Sequence, residues 1–465
     1  MSVTVPIVMF GWIPVVLGLF AVLPARVAVV TGFTVAWLFL PPARYEIVGF
    51  PEYDKMFATC LGVLLGLLLF SRDRPRAPSL SRMDLPMAVF CLSPILSSLD
   101  NGLGLYDGLS TALELCIVWG MPYTIGRAFF QDGDLRLPAL ALLLGGLVYV
   151  PLCLLEVRLS PQLNQWIYGF QQHSFLQHMR YGGYRPMVFL SHGLMVAFWM
   201  MAATLMAAWL WWRGGVRRIG PFPLPALIGV LFVTLLLCKS VGAVFLLFVG
   251  LGVMLIPGSE LRVRGMRMLI LAIPLFLLLR VGGVIEAGPV PILDQIDPRS
   301  AQSLGFRLKN EDLLIDKALE QPVFGWGGWG RSRIYDRWGN DISITDGYWI
   351  IIFGTQGLVG LLSWLLAMLW PLWALAPLQR RLRAGVPREE RLRVVAIGAL
   401  SVLLTLYVVD CVPNAMINPV FTLVIGACVS TAQRWRRGAP VLAEATEAEP
   451  GRRRTLDARS GLDWV

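Results

Sequence analysis

FRLKNEDLLIDKALEQPVFGWGGWGRSRIYDRWGNDISITDGYWIIIFGTQGLVG, residues 306–360, runs from a charged segment through a glycine–tryptophan turn into a stretch with no charge at all. Arg307, Lys309, Glu311, Asp312, Asp316 and Lys317 crowd its opening, Phe324 to Gly330 spells FGWGGWG, and the chain turns apolar behind Thr345-Asp346-Gly347-Tyr348-Trp349. This is the end of the one long polar interruption in a chain made mostly of apolar runs. If the run behind Asp346 crosses a bilayer, the charged segment is held at a membrane surface, beside a span carrying Gly354, Gly357 and Gly360.

Composition supports that reading. Of 465 residues, 56% are hydrophobic and only 15% charged, where a soluble domain carries about 25% charged residues; the mean hydropathy is +0.65. Only helices or a closed barrel satisfy their backbone in lipid, and the apolar runs here are continuous rather than alternating, which selects helices. Lysine and arginine number 40 against 30 aspartates and glutamates. The excess falls in short loops between runs, where it sets membrane orientation and excludes a nucleic-acid partner. The seven cysteines stand singly in or beside apolar runs and read as small hydrophobes, neither a disulfide frame nor a metal site. The first run lacks a basic leader and passes straight into another, so it reads as a span and not as a cleavable signal.

A span needs about 20 mostly apolar residues. Runs on that scale lie near 6–24, 26–41, 56–70, 85–98, 106–125, 137–155, 187–212, 222–238, 240–257, 266–283, 347–376, 393–409 and 415–432. The fold expected is all-α, a polytopic transmembrane bundle of about twelve to fourteen helices. Its divisions are 1–155, N-terminal helices; 156–186, a first outer loop; 187–283, central helices; 284–346, a long outer loop containing an amphipathic helix; 347–432, C-terminal helices; and 433–465, a cytoplasmic tail poor in large apolar groups and expected to be disordered. Placing the basic loops Arg72–Arg76, Arg213–Arg218, Arg262–Arg267 and Arg380–Arg393 in the cytoplasm sends both long loops, the Lys239-Ser240 break and the Asp410–Asn418 turn to the outer face.

Chemistry-bearing residues gather on that face. The three histidines, His173, His178 and His192, lie in or just beyond the first outer loop with Arg180, Tyr184 and Arg185. The spacing of His173 and His178 does not put them on one helix face, so no zinc site is expected. Arg185 precedes Pro186 at the start of a span, where its planar fork can meet a lipid phosphate. His192 falls about two turns into that span, and reads either as a functional group or as a neutral histidine satisfied by a neighbour. Lys239 interrupts an apolar stretch, as a functional cation or a snorkelling one. Arg307 and Glu311 are spaced to share a helix face, with Leu314, Ile315, Ala318 and Leu319 as an apolar stripe and Pro322 ending the helix. The FGWGGWG glycines could bring backbone N–H groups to a diphosphate, or its tryptophans could sit at the interface. Asp346 could act as a general base or cap the helix that starts near Tyr348.

Taken together, these residues resemble the O-antigen ligase and O-antigen polymerase superfamily of bacterial envelope glycosyltransferases. The resemblance rests on YRPMVFLSHG (184–193), on Lys239-Ser240 between two short spans, on FRLKNEDLLIDKALEQPVFGWGGWG (306–330), which matches best, and on the glycine-bearing helix of TDGYWIIIFGTQGLVG (345–360). It covers roughly residues 180–375. The family's His-Asn is here Asp346-Gly347, which leaves the identity of the base open. The resemblance implies a metal-independent, cofactor-free transferase of the inner membrane. Its donor would be a glycan on polyprenyl diphosphate and its acceptor a glycan or lipid. Arg185 and Arg307 would hold the diphosphate and Asp346 would stand at the base position, with Lys239, Arg180, Tyr184, His192, Glu311 and Tyr348 lining the substrates. A transporter or flippase of the same lipid is the rival from another class; it would carry inverted repeats, and the sequence shows none.

Overall fold

The computed structural model describes residues 3–47, 51–70, 77–174, 178–285, 295, 298–382 and 385–437. The expectations for the tail beyond 437, for Arg72–Arg76, and for 286–294 and 296–297 of the long loop fall outside those residues. Helix accounts for 71% of the structure and strand for 3%, which makes the chain an all-α bundle.

The apolar runs become helices: α1 (Thr4–Val22), α2 (Ala25–Phe39), α3 (Lys55–Phe70), α4 (Leu85–Asp100), α5 (Leu105–Leu115), α6 (Met121–Phe129), α7 (Arg136–Leu159), α8 (Leu163–Tyr168), α9 (Gly193–Trp212), α10 (Leu224–Leu237), α11 (Val241–Leu255), α12 (Ser259–Val281), α13 (Pro298–Leu319), α14 (Tyr348–Leu375), α15 (Arg388–Asp410) and α16 (Pro419–Arg436). A π turn at Cys116–Gly120 joins α5 to α6. Among the described residues, 5 helical stretches are long and apolar enough to cross a membrane: α1, α7, α9, α15 and α14 with the turn that continues it. The other apolar helices, α2, α3, α4, α10 and α11, are shorter. Three two-residue antiparallel hairpins decorate the loops: β1–β2 (Arg44–Tyr45, Tyr53–Asp54), β3–β4 (Met179–Arg180, Gly183–Tyr184) and β5–β6 (Arg218–Ile219, Phe222–Pro223).

A helix that is apolar on every side is buried on every side. Every residue of α9 from Val196 to Leu210 and of α15 from Val394 to Val408 is buried, so these two form the centre. Small residues set the closest crossing. A Cβ on Gly126 would collide with the Leu423 carbonyl, and one on Gly426 with the Tyr123 carbonyl, so α6 and α16 touch backbone to backbone.

The polar groups sort to two ends. At the arginine-rich end, Arg127 donates to Asp84 at 2.8 Å and to Ser430 at 2.8 Å, and Arg380 pairs with Glu260 at 2.6 Å. The opposite, loop-rich end collects the segments expected on the outer face.

Two departures from the expected spans occur there. The span expected from 187 begins as a helix only at Gly193, because Pro186 and Val188 (φ 54) hold irregular backbone. That backbone is buried, with Val188 and Leu190 both 0% exposed, and buried N–H groups need acceptors. Glu156 supplies them: its carboxylate accepts from Leu163 N at 3.0 Å, Met187 N at 2.8 Å and Val188 N at 2.7 Å.

The second departure is inside α14, where Gly357 (φ 63) breaks the helix. The backbone groups this frees are met by the glycine–tryptophan turn. Trp326 N donates to Gly354 O at 2.8 Å, Gly327 N to Thr355 O at 2.9 Å, and Leu358 N to Pro322 O at 2.8 Å. The turn is clamped from behind by α4: Ser97 donates to the Phe324 carbonyl, and Asn101 to the Gly325 carbonyl at 2.7 Å. The FGWGGWG N–H groups of Trp326 and Gly327 are therefore spent on a helix break and do not form a phosphate cradle.

Candidate functional site: a cationic cluster at the loop-rich end

The β3–β4 hairpin turns through Tyr181 (φ 48) and Gly182 (φ 68), both left-handed as a two-residue hairpin turn requires. It is tied to the α10–α11 break by Lys239, itself left-handed (φ 50), whose ammonium donates to the Arg180 carbonyl at 2.6 Å. Lys239 is thus a tether between two loops. Burial lowers its pKa.

Arg185 follows the hairpin and is only 1% exposed. Its Nε and Nη2 donate to the Cys238 and Lys239 carbonyls at 3.3 and 2.7 Å, while its Nη1 is buried with no hydrogen-bond partner among the described residues. Burial first, then the charges of Arg180 and Arg307, bring its pKa down to about 10, with Cys238 and Tyr181 opposing. Arg180 repels it from the same hairpin, and Arg307, on α13, makes the smallest of the contributions. An anion with several oxygens would relieve that repulsion and take up the unpaired donor.

The histidines join the same cluster. His173 stands 5.2 Å from His192 and 6.0 Å from His178, ring centre to ring centre. His192 is the N-cap of α9, its Nδ1 accepting from Leu194 N at 3.0 Å, so it lies at the mouth of the helix and not two turns inside it. Burial followed by the Arg185 charge lowers the His192 pKa to about 3; burial, then His173, then Arg185 lower that of His178 to about 4. Both are neutral at pH 7.

Arg307, on α13, pairs with Asp346 at 3.0 Å through Nε, and its Nη1 donates to the Pro413 carbonyl at 3.3 Å and to Asn414 Oδ1 at 3.2 Å. Asn414 in turn donates to Asp410 at 2.9 Å. Asp346 does not cap α14: the N-cap position is Gly347 and no side chain caps it. The long loop and the α15–α16 turn thus meet at one guanidinium, with a half-exposed carboxylate beside it.

Two expected site residues have other work. Glu311 is 5% exposed and pairs with Arg280, not with Arg307. It also accepts from Trp349 Nε1 at 3.3 Å, and burial raises its pKa against the pull of Arg280. Tyr348 is 6% exposed and stacks on Trp119 at 5.5 Å with its edge to Trp364. Both hold α13 and α14 in place. Leu319, expected in the apolar stripe, is 45% exposed, while Leu314, Ile315 and Ala318 pack inward.

Sequence reading missed Arg280, 2% exposed, whose Nη1 reaches Asp312 at 2.7 Å and whose Nη2 reaches the Leu308 carbonyl at 3.1 Å. A lone arginine near the end of an apolar run was the available signal. It also missed Asn414, which nothing in the local sequence distinguishes. A scan against protein-family models and a search of curated proteins find no match to this chain.

Proposed function

We propose that this protein is a membrane glycosyltransferase that joins or polymerises glycan units carried on polyprenyl diphosphate. Its site would open to the periplasm or cell exterior from a bacterial inner membrane crossed about twelve to fourteen times. The reading is supported by two cationic groups at the same end of the bundle, Arg185 with an unpaired buried Nη1 and the Arg307–Asp346 pair. A diphosphate leaving group needs cations and a positioned nucleophile more than it needs new covalent chemistry.

In this mechanism the diphosphate settles on Arg185 and Arg307, displacing the long contacts of Arg307 to Pro413 and Asn414. The acceptor hydroxyl oxygen attacks the anomeric carbon. The bond from that carbon to the diphosphate oxygen breaks, its electron pair leaving with the diphosphate. The hydroxyl proton passes to the Asp346 carboxylate, which Arg307 holds in place, and from there to water. Before the diphosphate arrives, Asp410 orients the Asn414 amide, and so fixes where Arg307 points. Ligation to a lipid or protein acceptor uses the same steps.

The test is turnover of a purified polyprenyl-diphosphate glycan by the full chain. Arg307→Ala is expected to lower the rate by roughly 10²-fold or more, the scale of losing one preorganised donor. Asp346→Asn, which can still accept from Arg307, is expected to lose roughly 10²–10⁴-fold, the scale of losing a general base. Undiminished product from Arg307→Ala refutes the diphosphate role.

The break in α14 at Gly357 favours one alternative, a transporter of the same lipid, since such proteins use discontinuous helices. A transporter moves labelled carrier across a vesicle and forms no glycosidic bond; the transferase yields a product of higher mass.

A further inference from the structure

Beyond Arg307, α13 continues to Leu319, and its far half borders an open groove of about 640 Å³. The groove shares no residue with the cationic cluster. Asp316 and Lys317 line it from α13, and Glu320, paired with Lys317 at 2.6 Å, with Trp326, Arg331 and Tyr335 from the turn that follows. The floor is rigid. The Trp326 indole N–H donates to the Lys317 carbonyl at 2.7 Å, the Lys317 ammonium lies 3.8 Å from the centre of the same ring, and Trp326 N is bound into the break of α14. Tyr335, 48% exposed, offers its ring to the groove with its hydroxyl anchored on the Gly330 carbonyl at 3.1 Å. Arg331 is steadied by the Asn101 carbonyl at 3.3 Å, and the Asp316 carboxylate is exposed.

We infer that this groove binds a stretch of oligosaccharide, the glycan segment that lies beyond the reacting end. The inference rests on the transferase reading, and names where its acceptor or growing product is held. The exposed Tyr335 ring suits the apolar face of a sugar, beside a fixed Trp326 whose own ring is covered by Lys317 at 3.8 Å. Carboxylates and guanidiniums together serve hydroxyl groups, each of which is both donor and acceptor. A phosphate ligand would call for cations alone, and the groove carries Asp316 and Glu320. The size lies within the range of ligand sites, about 300–1,000 Å³. Position agrees: ten helical residues separate Lys317 from Arg307, roughly 15 Å at the α-helical rise. A few sugar rings would bridge that gap, so one glycan can reach both places.

The experiment is saturation-transfer NMR on the full chain in nanodiscs. The probe is oligosaccharide released by mild acid from the surface polysaccharide of the producing cell. The wild type should transfer saturation to sugar protons. Tyr335→Ala and Asp316→Asn should weaken binding by roughly tenfold or more, as loss of a central contact does, and Trp338→Ala, an exposed tryptophan outside the groove, should not. No transfer in the wild type, or equal binding by Tyr335→Ala, overturns the inference. Turnover of lipid-linked donor is read on the same preparations. Turnover without groove binding removes the groove alone, while groove binding without turnover leaves the groove standing and removes the transferase reading.

Discussion

Arg280 shows how far a single buried charge governs the loop-rich end. Its guanidinium neutralises Glu311 and reaches Asp312 and the Leu308 carbonyl, so it fixes α13 against α12 and α14. Removing one partner of a buried pair strands the other. Arg280→Leu is expected to destabilise the protein by about 3–5 kcal/mol, read as a lower thermal midpoint, and Glu311→Gln in that background should recover part of the loss; additive effects of the two changes would contradict the pairing. His178 and His192 make a second residue-scale prediction. Each is held below its free value of 6.5, to about 4 and about 3. The stability each contributes is present above pH 6.5 and is lost as pH falls through those values. The thermal midpoint should therefore drop on acidification below 6.5. His192→Asn, which keeps a capping acceptor for Leu194, should flatten the drop; an unchanged slope would exclude His192 as a source. Arg185 and Asp346 were legible as candidates because each stands where a polar loop meets an apolar run, and Arg307 because it opens the charged, amphipathic segment of the long loop. Arg280 and Asn414 were not, because their roles are set by partners 31 and 107 residues away.

At the scale of elements, the α14 break and the glycine–tryptophan turn are one structure. Gly354, Gly357 and Gly360 look alike in sequence, yet only Gly357 is left-handed (φ 63), and a Cβ there would strike the Val323 carbonyl. Gly325 (φ 70) faces the break from the other side, against the backbone of Thr355, Gln356 and Gly357. Gly357→Ala and Gly325→Ala are each expected to destabilise by about 1–3 kcal/mol, the scale of a forced left-handed residue. Gly229→Ala, in open space within α10, should stabilise slightly, by about 0.5–1 kcal/mol. Thermal unfolding in detergent measures all three, and a neutral Gly357→Ala would mean that the break tolerates an ordinary residue. The helices themselves were readable from apolar length. The break and the late start of α9 were not, because each depends on acceptors or donors that a distant segment brings: the 322–327 stretch for α14, and Glu156 for the backbone before α9.

Across the whole molecule, the sorting of polar contacts into two ends is what lets distant loops share one site. Impermeant thiol reagents should label Tyr335→Cys from one side of a sealed vesicle and Arg437→Cys only from the other; labelling of both from the same side would break the two-ended architecture. The alternation of basic loops groups both long loops, the Lys239-Ser240 break and the Asp410–Asn418 turn, and in the structure Arg185 and Lys239 tie the first loop to the break while Arg307 ties the second to the turn. Their contacts could not be anticipated, because crossings such as Gly126 on α16 are set by shape. The most direct test of the central claim is the affinity of sugar-free polyprenyl diphosphate for the full chain in nanodiscs. Saturable binding, weakened by roughly tenfold or more in both Arg185→Gln and Arg307→Gln and unaffected by Arg213→Gln at the arginine-rich end, is the predicted result. Equal affinity in all four proteins would contradict it.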